Sequence, residues 1–207
     1  EYWNLPSSTV LVGGTTDSNA AFIAATGGKN VDLGTAVTSL GSTLAIKQLS
    51  NEYVEDASRG VYSHRFPRLL SDDEQEAWLL GGASNVGCAI LRDQGFSNDE
   101  LDELSRHIDP ATDSSLSYYP LIKPGERFPV ADPQKEPVLK PVPKERSEFL
   151  KGVLQGISVV ERDGFSVLTE LGAPPPRQVW TCGGGSRNDV WNQLRQRKLR
   201  EAFGDQV

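Results

Sequence analysis

Three short stretches of the chain carry residue types that could act together on a charged substrate. In "VLVGGTTDSNAAFIAA", residues 10–25, a lone Asp17 stands between an apolar run closed by Gly13-Gly14 and an alanine-rich segment. In "SLGSTLAI", residues 39–46, Gly41, Ser42 and Thr43 separate two β-prone stretches. In "CGGGSRNDVWNQLRQRKL", residues 182–199, Gly183, Gly184, Gly185 and Ser186 lie between a strand-like run and a helical one, and Asn188 and Trp191 share a helix face. Glycines let backbone approach a ligand closely, and a helix start offers unpaired amides to an anion or a flat heterocycle. A carboxylate at a strand-to-helix corner can orient and deprotonate a hydroxyl, and such corners are where open α/β sheets take ligands. A carboxylate, a phosphate-cradling turn and a base-flanking turn are the parts that phosphoryl transfer requires. Each part also has a plainer reading. Asp17 suits a helix N-cap, Trp191 a core position and Asn188 a first-turn surface site.

The elements that must position these residues can be read from periodicity and punctuation. Residues 10–12 read as a buried strand ending in a tight turn, and residues 20–25 as a small packed helix capped by Asp17, Ser18 or Asn19. A second strand-like run covers about 30–35, and 36–50 reads as a hairpin turning at Gly41-Ser42-Thr43. "YSHRFP" continues as a strand, followed by an exposed acidic turn, and Ala89, Ile90 and Leu91 mark a helix or buried strand. Over 97–108, Ser97 or Asn98 caps a helix with Leu101, Leu104 and Ile108 on one side. Proline and charge dominate 109–147, which reads as an extended surface excursion. Phe149, Leu150, Val153, Leu154, Ile157 and Val160 then form the apolar stripe of an amphipathic helix. A strand over 178–182 and a helix beginning near Ser186 complete the pattern, which is α/β in class without an internal repeat.

Composition bounds the partners. The chain has 207 residues, 37% hydrophobic and 24% charged, enough for a sizeable core. A net charge of -7 argues against nucleic acid and acidic membranes, so an anionic ligand must be gripped locally. Cys88, Cys182, His64 and His107 are isolated from one another in sequence, which gives no zinc spacing and suggests reduced thiols. No run approaches the ~18 apolar residues of a membrane span and no signal peptide is visible, so a cytoplasmic protein is expected. Glu1 opens the chain and methionine is absent, which suggests a piece of a longer protein. The glycine run reads G-x-G-x-x-N, without the last glycine of a dinucleotide fingerprint, and no Walker A loop occurs.

"GGTTDSNAA", "SLGSTLAI", "WLLGGASNVGCAILRD" and "CGGGSRNDVWNQLRQRKL" together resemble the C-terminal half of the FGGY family of carbohydrate kinases, in the actin, hexokinase and sugar-kinase superfamily. The wording is most similar to a plant and cyanobacterial subgroup, related to xylulose kinases, that acts on pentuloses such as D-ribulose. The resemblance implies a ribonuclease H-like lobe over residues 1–207, a mixed sheet flanked by helices that is itself incomplete. It implies ATP-dependent phosphorylation of a terminal sugar hydroxyl, with Asp17 as the base. Gly41, Ser42 and Thr43 would form the second phosphate turn. Gly183, Gly184, Gly185 and Ser186 would form the adenosine turn, with Asn188 and Trp191 beside the base. ATP and Mg²⁺ are the implied cofactors, and a ketose, ATP and an N-terminal lobe absent from this chain are the implied partners. That lobe carries the family's Asp-x-Gly-Thr hairpin and magnesium-coordinating acid, so no metal ligand is assigned here. A plant source would place the protein in the plastid stroma. The rival readings are a non-catalytic nucleotide-binding or regulatory module of the same fold and, on the glycine run alone, a dinucleotide-dependent oxidoreductase.

Overall fold

The computed structural model describes residues 5–27, 31–66, 76–205 and 207. In chain order the elements are α1 (Asp17–Thr26), β1 (Thr35–Leu40), β2 (Leu44–Ser50), β3 (Tyr62–Arg65), β4 (Trp78–Ala83), α2 (Ala89–Asp93), α3 (Asn98–Ser105), α4 (Arg146–Glu170), β5 (Gln178–Cys182) and α5 (Asp189–Phe203). The five strands form one mixed sheet in the order β3-β4-β2-β1-β5. β1 and β2 pair antiparallel across a tight turn, and β2 with β4 and β3 with β4 are also antiparallel. β5 returns after the long α4 crossover to pair parallel with β1, as a crossover connection requires. The expected α/β class and mixed sheet flanked by helices are therefore what the chain adopts.

Alternation along the strands sorts the core into two faces. Ala36, Leu40, Leu44, Ile46 and Leu80 pack with Leu150, Leu154, Ile157 and Phe165 of α4 and with Trp191 and Leu194 of α5. Val37, Leu49 and Leu79 point the other way and meet Phe22 of α1 and Phe66. The proline-rich segment is irregular, yet Leu116, Tyr118, Leu121 and Phe128 are buried in the first of these cores. Glu126, 3% exposed, fixes it: its carboxylate accepts from the Ser84 and Tyr119 hydroxyls at 2.7 and 2.9 Å and from the Asn85 and Arg127 amides at 2.6 and 2.8 Å. Four donors satisfy a buried carboxylate that would otherwise be costly to desolvate.

Three expectations fail for local reasons. Residues 10–12 form no strand: Val10, Leu11 and Val12 are 79%, 86% and 85% exposed, because β3 and β5 are the edges of the sheet and neither pairs with them. The cap of α1 is Thr16, whose hydroxyl accepts from the Asn19 amide at 3.4 Å, rather than Asp17, Ser18 or Asn19. The strand expected over 30–35 begins only at Thr35, since Gly34 turns the chain at φ +84° and donates its amide to Leu49; Asn30 itself lies outside the described residues, as does the acidic turn at 71–75. Among the described residues no helix is long and apolar enough to cross a membrane.

One polar cluster crosses the first core. Arg195 of α5 grips Glu161 of α4 with two N–H donors at 2.7 and 2.6 Å, and the pair is 4% and 0% exposed. The Thr38 hydroxyl of β1 donates to the same carboxylate at 2.5 Å, while Arg195 also donates to Thr181 of β5 at 2.9 Å. Breaking one side strands a buried charge, whereas replacing both sides with apolar groups removes the penalty. Arg195→Met is expected to destabilise the chain by about 3–5 kcal/mol, and the double variant Glu161→Leu/Arg195→Met by much less; urea unfolding of the three proteins checks this, and equal loss in both variants would refute it.

Candidate functional site

The β1–β2 hairpin closes at the Leu40–Leu44 pair and leaves Gly41, Ser42 and Thr43 as its turn. This turn is held by the segment that opens α2: Cys88 and Ala89 donate their amides to the Gly41 and Ser42 carbonyls at 2.8 and 3.2 Å. Leu44 is fixed likewise, through the Val86 carbonyl at 2.7 Å. The carbonyls thus point inward, and among the described residues the Ser42 and Thr43 amides have no backbone acceptor. Exposed, unpaired amides on a rigid turn are the groups that receive anionic oxygens.

The second glycine turn follows β5. Gly183 sits at φ +89°, and a Cβ there would lie 2.5 Å from the Leu40 carbonyl oxygen, so only glycine brings this backbone against the end of β1. Gly184–Arg187 forms a 3-10 turn in which the Ser186 hydroxyl donates to the Gly183 carbonyl at 2.7 Å. With that hydroxyl engaged, the α-helix begins not near Ser186 but at Asp189, capped by Asn188. The Asn188 side chain accepts from the Trp191 amide at 2.9 Å and donates to the Ser105 hydroxyl at 2.8 Å, so both ends of its amide are occupied within the fold. Trp191 is 1% exposed and donates its indole N–H to Ser158 at 3.1 Å, which makes it a core residue presenting one edge outward.

Parallel pairing of β1 with β5, in register at Ser39 and Cys182, sets the two turns side by side at the C-terminal ends of these strands. Between the second turn and the α2–α3 segment lies a cavity of about 500 Å³ whose walls include Cys88, Leu91, Arg92, Phe96, Gly184, Gly185, Asn188 and Trp191, and none of Gly41, Ser42 and Thr43. Cys88, Leu91, Arg92 and Phe96 were not assigned to a binding site from the sequence, although the first three lie in the stretch "WLLGGASNVGCAILRD". The signal available for them was their place just after "GGASNVG", the stretch that braces the first turn. Arg92 matters most: its guanidinium donates to the Ser42 hydroxyl at 3.2 Å and so joins the cavity wall to the phosphate-type turn. Burial pushes the Cys88 thiol above its usual pKa, so it lines the cavity as a neutral group.

Asp17 is placed differently. It is the first residue of α1, exposed, and its carboxylate accepts from the Ser18 amide at 2.7 Å. Because Thr16 caps the helix, Asp17 is freed from that task. α1 packs on the sheet face opposite α4 and α5, so the carboxylate and the cavity lie on opposite faces, with the glycine turns on the edge between them. Among the described residues no three His, Cys, Asp or Glu side chains converge as a metal cage.

The sequence model of the FGGY family of carbohydrate kinases, C-terminal domain, matches residues 36–196. The chain belongs to the FGGY family. The matched span holds both glycine turns and starts downstream of Asp17. Among solved structures, the chain is similar to a xylulose kinase from Rhodospirillum rubrum (TM-score 0.69, 19% identity, 92% of this chain and 38% of that one). It is also similar to a xyloylose kinase from Brucella ovis (TM-score 0.67, 21% identity, 88% and 40%). A third similarity is to a Plasmodium falciparum glycerol kinase solved with ADP (TM-score 0.60, 14% identity, 80% and 33%). At these identities the likeness is one of fold, and the FGGY chain described here spans about 40% of the length of the first of those proteins or less.

The closeness of the FGGY domain's second turn to its core sets a test of the geometry. A Cβ on Gly185 would lie 2.6 Å from the Trp191 ring and 2.9 Å from Leu40 Cβ, both buried. Gly185→Ala is therefore expected to destabilise the chain by about 1–3 kcal/mol, as overpacking does, and to shift the tryptophan emission; wild-type urea unfolding in this variant would contradict the packing described.

Proposed function

We propose that this chain is the nucleotide-binding lobe, residues 1–207, of an ATP-dependent kinase that phosphorylates a terminal hydroxyl of a ketose such as D-ribulose or D-xylulose. The observation that carries this reading is the cavity at the second glycine turn, whose wall residue Arg92 is hydrogen-bonded to Ser42 of the first turn. The cavity is apolar enough for a heterocycle, with Leu91, Phe96 and the Trp191 edge as its walls. The backbone of Gly183, Gly184, Gly185 and Ser186 would border the adenosine. Asn188 would act by capping α5 and holding the turn rather than by reading the base, since its amide is already bonded at both ends. The turn of Gly41, Ser42 and Thr43 would receive phosphate oxygens through the amides of Ser42 and Thr43, with Arg92, a local cationic grip that a chain of net charge -7 needs; the Gly41 amide is held within the turn by the Thr43 carbonyl at 3.2 Å.

Asp17 would be the base on the acceptor side. Its carboxylate takes the proton of the sugar hydroxyl as that oxygen bonds to phosphorus. ATP supplies the phosphoryl group. Among the described residues no three His, Cys, Asp or Glu side chains come together as a cage for magnesium. An N-terminal lobe would then complete the cleft and supply the sugar contacts and the magnesium-coordinating acid. The pentulose subgroup, which rests on the motif wording, and a cytoplasmic setting, or the plastid stroma for a plant source, belong to this reading.

Two variants test it. In the complete protein, Asp17→Asn is expected to lower sugar-dependent phosphorylation by about 10²–10⁴-fold while leaving nucleotide affinity nearly unchanged; wild-type kcat in that variant would end the base assignment, whereas no sugar-dependent ATP consumption by the unaltered protein would favour a non-catalytic module. Arg92→Gln is expected to weaken ADP binding about tenfold, a charge-assisted contact of roughly 1.5 kcal/mol, with adenosine affinity unaltered. Calorimetry with both ligands reads this, and equal losses for ADP and adenosine would show that Arg92 does not act on phosphate.

A further inference from the structure

The cavity at the second glycine turn has polar groups on its rim that the fold itself does not use. One wall is α3, and that helix is clamped in place. Ser105, its last residue, is buried and its hydroxyl accepts from the Asn188 side chain at 2.8 Å, which ties α3 to the residue that caps α5. Residues three, four and seven apart share a helix face, so the face that holds Ser105 also holds Asn98, Leu101 and Asp102. All three line the cavity. Leu101 continues the apolar wall begun by Leu91 and Phe96, whereas Asn98 and Asp102 are exposed.

The bonding of this rim is unspent. Glu100, on another face of α3 and not part of the cavity, is engaged by Arg146, but among the described residues the side chains of Asn98 and Asp102 have no hydrogen-bond or ion-pair partner. Arg187 lines the same cavity from the second turn and forms no ion pair with Asp102. The carboxylate thus faces the cavity with both oxygens open. A carboxylate can only accept, so what it meets there must offer donors. In adenine the exocyclic amine stands beside a ring nitrogen acceptor, which would oppose a carboxylate approaching that edge. A ribose offers two adjacent hydroxyls, one for each carboxylate oxygen, and an acid holds the ribose 2′-hydroxyl in the same way in other α/β nucleotide sites.

We propose that Asp102 is a specificity-determining residue that accepts from the 2′- and 3′-hydroxyls of the bound nucleotide, with Asn98 beside it, and so selects ribonucleotides over deoxyribonucleotides. This rests on reading the cavity as the nucleotide site. Phosphates at Ser42 and Arg92 and a base against Leu91, Phe96 and Leu101 leave the ribose, which joins them, at the polar rim. The same carboxylate repels a phosphate carried on the 2′-oxygen.

Calorimetry of the complete protein with ADP, 2′-deoxy-ADP and IDP tests this. The wild type is expected to bind ADP about tenfold more tightly than 2′-deoxy-ADP. Asp102→Ala places a good helix former at an exposed helix position and is expected to melt with the wild type. It is expected to bind ADP about tenfold more weakly and 2′-deoxy-ADP nearly as before, so that the preference disappears. Asp102→Asn, which keeps the shape and gives up the charge, is expected to shift the ratio in the same direction and decides the matter if the alanine variant does not fold. An unchanged ratio of the two affinities would overturn the assignment while leaving the nucleotide reading in place. Equal losses for both, with the preference for ADP over IDP abolished, would put the carboxylate on the base amine and overturn it likewise. A wild type that binds none of the three nucleotides would sink the nucleotide reading and the ribose contact together.

Discussion

The pair formed by Glu161 and Arg195 is the constraint on which the rest of the fold depends. A bidentate contact between α4 and α5 is also bonded to Thr38 of β1 and Thr181 of β5, the two residues paired across the parallel ladder. β5 reaches β1 only after more than a hundred intervening residues, and loop closure over that length has to be offset by contacts at the join. The hydrophobic core brings α4 and the sheet together without fixing register, since apolar contacts are non-directional. A carboxylate holding three donors fixes it. A slip of one residue would turn Thr38 and Thr181 to the opposite face and leave the ion pair buried without them.

Register at that point decides where the glycine turns fall. Because Ser39 and Cys182 are level, Gly183 meets the Leu40 carbonyl and Gly185 meets Trp191 and Cys88 in one place. Glu126 does similar work at the other side of the hairpin. By accepting from Ser84 and the Asn85 amide it steadies the stretch that leads to Val86, Cys88 and Ala89, whose backbones hold Leu44, Gly41 and Ser42. Two buried carboxylates, each fully supplied with donors, thus brace the two sides of the cavity at the glycine turns.

Much of this arrangement was legible in the sequence because it is written in local chemistry. The hairpin at Gly41-Ser42-Thr43, the strand Gln178–Cys182 and the Ser97 cap of α3 depend on turn, β-branched and capping residues within a few positions. The failures came where a local pattern needed a partner at long range. Val10, Leu11 and Val12 have a strand's composition, but a strand exists only beside another strand. The competition between Ser186 and Asn188 for the start of α5 turned on one hydroxyl bonding backward to Gly183, a preference that composition does not rank. Glu161 and Arg195 look like the polar side of an amphipathic helix and a basic helix surface, and only the crossover brings them face to face. Arg92 and Phe96 were hidden for the same reason: their chemistry is ordinary, and their position beside the second turn is set by the parallel ladder. Lys47 is the sharpest case, since one lysine in an alternating strand reads as its solvent side, whereas here α1 and the Tyr62 ring close over it.

The two sides of the sheet have different electrostatic character, and that difference has a physical consequence. On the α4–α5 side the buried charged groups have partners: Glu161 pairs with Arg195, Lys198 with Asp113 and Glu201 at 2.8 Å each, Lys151 donates to the Thr112 hydroxyl at 2.8 Å, and Glu126 accepts from neutral donors. Matched charges in a tight core resist rearrangement, because any displacement exposes an unpaired ion to low dielectric. On the α1 side, among the described residues, the Lys47 ammonium lacks an acceptor and the Asn19 side-chain oxygen lacks a donor, and Asp17 stands exposed. Unmatched groups leave that side responsive to whatever is brought against it, since a new partner gains the full value of the missing bonds. A chain with one electrostatically closed face and one open face is a scaffold on the first and a reactive surface on the second, with the glycine turns on the edge where the two meet.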